Sequence, residues 1–205
     1  MDPRGYIFYF LGYNLRKMKG MNTVTSSARI WKPNTNYHIT TRGNRKYNIF
    51  KEDRDFYVYL NIMKEAMEHF DNQYEVMCYC LMDNHIHILL KTKERHMKDY
   101  IARVNSIYAK FFNDKYDYVG PLYQGRYFSE LIKTDSQMIE TSRYIHLNPI
   151  RAKMVKNPED YRWSSYSMYI GKKKEKLINS KDILAYFING KERNQYRDFV
   201  KQGIV

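Results

Sequence analysis

Two apolar runs, Tyr74 to Leu81 and Ile86 to Leu90, stand on either side of Asp83-Asn84. A two-residue Asx loop between apolar runs is a hairpin signal, so this segment predicts two neighbouring antiparallel strands. The flanks read as helices. Before the hairpin, Phe56, Leu60, Met63, Met67 and Phe70 recur at three- and four-residue spacing, which predicts an amphipathic helix over 54–70 capped by Asp53. After it, Met97, Ile101, Val104, Tyr108 and Phe111 form a second stripe over about 95–114, and Gly120-Pro121 ends that segment. Tyr37-His38-Ile39-Thr40-Thr41 reads as a strand closed by the turn Arg42-Gly43-Asn44, and Arg126 to Lys133 reads as another. Asp135 caps a third helix, predicted to stop before Pro149 because the residue preceding proline avoids helical backbone. The order β-α-β-β-α-β-α is that of an α+β, ferredoxin-like split βαβ sheet with one added C-terminal helix.

At 205 residues the default is one domain with a modest extension. Residues 1–20 read as a leader, 21–170 as the main domain, the lysine-rich stretch 172–176 as a linker, and 177–205 as a small helical tail. With 43 % hydrophobic and 16 % aromatic residues there is enough apolar mass for a core, which excludes a disordered chain. Thirty-five Lys+Arg against 22 Asp+Glu leave a formal charge of +13, pointing to a polyanion, nucleic acid before membrane. The 21 tyrosines suit that partner, since phenol rings stack on unpaired bases while cations take the phosphates. Cys78 and Cys80 stand two apart on one strand, poor geometry for a mutual disulfide, and fit a reducing cytoplasm. The apolar run Tyr6 to Leu11 is too short to span a bilayer and reads as no export signal.

Strand side chains alternate faces, so His85 and His87 project together and can share one cation. With Asp83-Asn84 as the turn, Met82 faces His85 and Cys80 faces His87, which leaves a Cys/His zinc site as an alternative. Cys78 would sit opposite Leu89, too far from His85 for both to reach one metal. On the third helix Tyr144 and Asn148 lie four apart on one face, whereas His146 points away. Tyr108 is a further tyrosine, at an apolar-stripe position that suits a core role.

Four ordered blocks resemble a known family: Tyr37 to Asn44, Met82 to Leu90, Gly120 to Tyr127, and Arg143 to Pro149 with Arg151-Ala152 after it. From about Asn36 to Tyr166 the chain resembles the REP-associated tyrosine transposases of the single-tyrosine HUH superfamily. The resemblance implies that His85 and His87 bind a divalent metal, that Tyr144 is the nucleophile, and that Asn148 is a third ligand. Two imidazoles, a carboxamide oxygen, phosphate oxygens and waters suit six-coordinate Mg²⁺ or Mn²⁺. A free tyrosine has a pKa near 10, so its attack needs proton removal or a polarised phosphate, which a metal supplies. DNA contacts are expected from Arg42 and Asn44, from Tyr123, Gln124 and Arg126, and from Lys110, Lys115 and Arg143. Gly43 and Gly125 would let backbone approach phosphate closely. The expected function is cleavage and rejoining of single-stranded, hairpin-forming DNA through a 5′-phosphotyrosine. A non-cleaving DNA- or RNA-binding protein stays open, since a βαββαβ sheet with aromatics also serves RNA recognition. The resemblance allows a monomer or a homodimer.

Overall fold

A computed structural model describes residues 31–204. The expected leader, the run Tyr6 to Leu11 and the first residues of the expected main domain lie outside them.

Four strands form one antiparallel sheet: β1 (Thr35–Arg42), β2 (Tyr74–Met82), β3 (His85–Thr92) and β4 (Phe128–Ile132), in the order β2-β3-β1-β4. The hairpin closes as expected, with Asp83-Asn84 as its loop and Met82 opposite His85, Cys80 opposite His87 and Cys78 opposite Leu89. Helices α1 (Asp53–His69) and α2 (Met97–Tyr116) supply the two crossovers and pack against each other. They cover the sheet face that carries Tyr37, Ile39 and Thr41; Asn105 on α2 bonds the Thr41 hydroxyl at 3.3 Å. Helix α3 (Asp135–Arg151) lies on the opposite face, against β2, β3 and β4. This is the α+β split βαβ arrangement expected from the order of elements.

Local chemistry moves several boundaries. Helix α1 has Glu52, not Asp53, as its cap residue, because the Asp55 carboxylate turns back to accept the Lys51 and Glu52 amides at 2.8 and 3.2 Å. Helix α3 is capped by the Thr134 hydroxyl, which accepts from Gln137 N at 3.1 Å, and Asp135 is its first residue. Strand β4 starts at Phe128 instead of Arg126.

The largest correction is at Pro149, through which α3 runs on to Arg151. Proline has no N–H, so its place in a helix leaves the carbonyl four residues back without a donor. Here that carbonyl belongs to Ile145. The Asn148 side-chain amide reaches it at 3.4 Å and also donates to the Tyr144 carbonyl at 2.9 Å. A carboxamide thus supplies what the backbone lost.

The tail folds onto the back of α3 through short turns α4 (Tyr166–Tyr169) and α5 (Lys181–Leu184) and helix α6 (Glu192–Lys201). Within the lysine-rich linker, Glu175 is tied to Ser180 at 2.7 Å and Arg193 at 2.9 Å.

Candidate active site

Antiparallel pairing sets the site. Thr40 of β1 stands opposite His87 of β3, and Arg42 opposite His85. With a side-chain period of two, His38, Thr40, Arg42, His85 and His87 all point to the α3 face. His87 is buried and keeps its Nδ1 for β1, 3.0 Å from His38 Nε2 and 3.2 Å from Thr40 Oγ1. The His38 and His87 rings stack with centroids 5.2 Å apart. His85 is half-buried, and its Nδ1 lies 2.6 Å from Asn84 Oδ1, so that nitrogen carries the proton. Among the described residues the Nε2 atoms of His85 and His87 carry no protein hydrogen bond; the His85 ring, protonated on Nδ1, presents its Nε2 lone pair, and the His87 ring does the same in the tautomer that donates from Nδ1 to β1.

Helix α3 brings Tyr144 over this face. Its ring stands edge-on to His87 at 5.6 Å and to His38 at 5.8 Å between centroids. Asn148 lies one turn further, 8 % exposed, with its amide nitrogen spent on the helix carbonyls. Its oxygen is therefore the atom left for a ligand. The continuation past Pro149 adds Arg151, two turns from Tyr144, whose guanidinium carbon lies 4.7 Å from the ring centroid. Sequence reading missed this contact because it ended the helix too early. It also left His38 without a role; the signal available was its alternation with Thr40, but only the pairing of β1 with β3 puts His38 beside His87.

Burial holds the histidines neutral. It pushes His38 down to about 4, and with Arg42 pushes His85 down to about 4. His87 falls well below the usual imidazole value through burial and then the neighbouring His38, His85, Arg42 and Arg151. Neutral rings are what metal ligation requires. Burial raises the Tyr144 phenol above its ordinary value, against the opposing pull of Arg151 and Arg42. Arg42 has its Nε buried with no hydrogen-bond partner, a donor aimed nowhere within the described residues.

The remaining expected residues fall in three places. Asn44 and the loop from Tyr123 to Arg126 adjoin the site: Asn44 N donates to Leu122 O and Gln124 N to Arg42 O, each at 2.8 Å. Tyr123 is half-buried, with Gln124 and Arg126 exposed. Arg143 turns to the tail, paired with Glu140 and stacked 4.3 Å over the Phe199 ring. Lys110 and Lys115 lie on α2, across the sheet from Tyr144; Lys115 bonds Glu52 and Asp55, each at 2.5 Å. Tyr108 is a core residue, donating to Ile49 O at 2.6 Å.

Among the described residues no group of three or more His, Cys, Asp or Glu side chains is arranged to hold a metal. Cys78 and Cys80 are fully buried, and burial pushes both thiols up, away from the thiolate that zinc prefers. A cation here would rest on His85, His87 and a carboxamide. That mixed nitrogen and oxygen set fits a divalent ion completed by water and phosphate oxygen. No described helix is long and apolar enough to cross a membrane.

Comparison with known proteins bears on this geometry. A protein of Haemophilus influenzae classed with the REP-associated tyrosine transposases is 27 % identical over 116 residues, which are 50 % of this chain. The chain spans 64 % of the length of that curated relative. In fold it is similar to a REP-associated tyrosine transposase solved bound to a REP hairpin, with a TM-score of 0.61 at 13 % identity over 78 % of this chain and 93 % of that one. Residues 32–148, more than half of the chain, match the family described as IS200-like transposase, and the matched span holds His38, His85, His87, Tyr144 and Asn148. The chain belongs to the IS200-like transposase family.

Proposed function

We propose that the protein is a divalent-metal-dependent endonuclease and strand transferase for single-stranded, hairpin-forming DNA, with Tyr144 as its nucleophile. The observation that carries this reading is the convergence of Tyr144 with the two strand histidines, its ring 5.6 Å from that of His87, which lies 5.0 Å from that of His85. Mg²⁺ or Mn²⁺ held by Nε2 of His85 and His87 and by the Asn148 oxygen would polarise the scissile phosphate. Tyr144 Oη forms a bond to phosphorus as the bond to the 3′-oxygen breaks. The phenol proton passes to solvent, and the departing 3′-oxygen ends protonated as a hydroxyl. The 5′-phosphotyrosine keeps the phosphoester, so a 3′-hydroxyl can reverse the step and rejoin a strand.

Arg151 and Arg42 oppose the effect of burial on Tyr144 and stabilise the charge that develops on its oxygen. Arg42, with its unpartnered Nε, is the phosphate seat beside His85. Asn44, Tyr123, Gln124 and Arg126 line the approach of the strand. Lys110, across the sheet from Tyr144, is left out of that path, and Lys115 is already spent on two carboxylates. Hairpin DNA is the favoured substrate because the solved relative is bound to a REP hairpin.

The test mixes the protein, or Tyr144→Phe, with 3′-labelled single strands from the hairpins flanking its own gene, with Mg²⁺ or Mn²⁺. A metal-dependent, denaturant-resistant labelled adduct that Tyr144→Phe lacks is the expected result. Tight hairpin binding with no adduct under either metal would make the protein a non-cleaving DNA-binding module.

A further inference from the structure

Beyond the candidate active site, the feature with the clearest chemistry is a cleft of about 570 Å³ on the far side of the turn that follows β1. That volume lies in the range of small-ligand sites, roughly 300–1,000 Å³. Tyr47, Phe112, Tyr118 and Leu122 line the cleft together with Lys46, Lys51 and Asn48, and among the described residues no carboxylate does. Tyr47 is 59 % exposed. Lys51 Nζ sits 4.1 Å from the Tyr116 ring centroid and 5.2 Å from that of Phe112. The exposed Tyr47 ring and the half-buried Tyr118 ring, with Lys46 and Lys51 lining the same cleft, match a nucleobase and its phosphate.

The loop that builds the cleft is held under strain. Arg45 and Lys46 both adopt left-handed backbone, at φ 51° and 63°, a region that side chains with a Cβ rarely occupy. A Cβ on Gly43 would lie 2.2 Å from Tyr47 O and 2.8 Å from Ile49 Cγ2, so the chain closes there only around glycine. The result is that Arg45, Lys46 and Tyr47 stand outward together.

One residue ties this loop to the strand histidines. Asn84 donates from Nδ2 to Lys46 O at 3.2 Å and accepts from His85 Nδ1 at 2.6 Å, while its carbonyl takes the Gly43 amide at 2.8 Å. The cleft and the expected cleavage centre therefore share one carboxamide.

We infer that the cleft is a subsite for one unpaired nucleotide of the substrate strand, stacked against Tyr47 and Tyr118 with its phosphate near Lys46 and Lys51. The inference rests on the strand-cleavage reading for the identity of the polymer, and its test separates the two. Full-length Tyr144→Phe protein in chelator, which cannot cleave, is titrated with a blunt hairpin and with the same hairpin carrying a short single-stranded flank on either side. The fluorescent base 2-aminopurine is placed at each flank position in turn. One flank position should be quenched on binding. Tyr47→Ala should weaken the flanked DNA about 5- to 150-fold, the range expected for one base–aromatic stack. It should leave the blunt hairpin unchanged, and Tyr47→Phe should restore the loss. If the flanked hairpin binds tightly but Tyr47→Ala and Tyr118→Ala bind it like the parent, or no position is quenched, the subsite is overturned and the cleavage reading stands. Failure to bind any hairpin or single strand overturns both.

Discussion

His146 and His87 are both buried histidines, one on α3 and one on β3, yet they are wired oppositely. His146 spends both ring nitrogens, Nδ1 on the Tyr196 hydroxyl at 2.7 Å and Nε2 on the Ser165 hydroxyl at 2.8 Å. Tyr196 in turn donates to Ser142 Oγ at 3.0 Å, and the tail is locked to α3. His87 spends Nδ1, and among the described residues its Nε2 is unpaired beside Tyr144. A saturated buried ring holds structure, because breaking either bond leaves a desolvated partner. A half-saturated one is pre-oriented by its bonded nitrogen while the other waits for a ligand.

The contrast predicts opposite mutational signatures. On the proposed function, His87→Gln should lower the rate of adduct formation by about 10³-fold or more, through loss of one proposed holder of the polarising ion. Its urea midpoint should stay close to the parent's. His146→Ala should do the reverse, costing about 2–4 kcal/mol in urea unfolding through a cavity and two stranded hydroxyls. Adduct formation measured well below its melting temperature should persist. If His146→Ala instead abolished the adduct in folded protein, the division between the two rings would fail.

His38→Ala tests whether the bond to His87 Nδ1 orients that ring. Loss of a residue supporting a ligand typically costs 10- to 100-fold in metal affinity. Titration with Mn²⁺ followed by paramagnetic resonance should show a drop of that size, with His38→Gln recovering part of it.

The last test is the pH dependence of stability. His38, His85, His87 and His146 are all depressed by burial, His146 to about 3, and unfold to rings with the ordinary value near 6.5. The unfolded chain thus binds more protons below about pH 6.5, and stability falls as the pH drops from there towards the folded values. The slope is up to about 1.4 kcal/mol per pH unit for each ring. Urea midpoints from pH 7 to 5 should decline accordingly. His146→Phe should flatten the decline by one ring, while saturating Mn²⁺ should raise the midpoints and leave the slope over this range nearly unchanged, because His85 and His87 are already unprotonated in the folded chain.

How much was readable in advance differs between these two regions. The hairpin was, down to Cys80 facing His87, because a two-residue loop and a period of two leave one register. The pairing of Tyr144 with Asn148 was equally local. The saturation of His146 was not, for its partners Ser165 and Tyr196 lie 19 and 50 residues away. The end of α3 was misread for a related reason. Proline stops a helix when its orphaned carbonyl finds no donor, and here the Asn148 side chain is that donor.

Local rules therefore carried the element order, the faces of the strands and the residues able to do chemistry, since periodicity and turn geometry act over a few positions. The fold decided what those residues meet. Placing β1 next to β3 gave His87 its support from His38 and Thr40. Carrying α3 past Pro149 set Arg151 over Tyr144. Each of these contacts joins elements, or lies beyond an apparent stop, that no local pattern links, and only burial of the shared apolar faces brings them together.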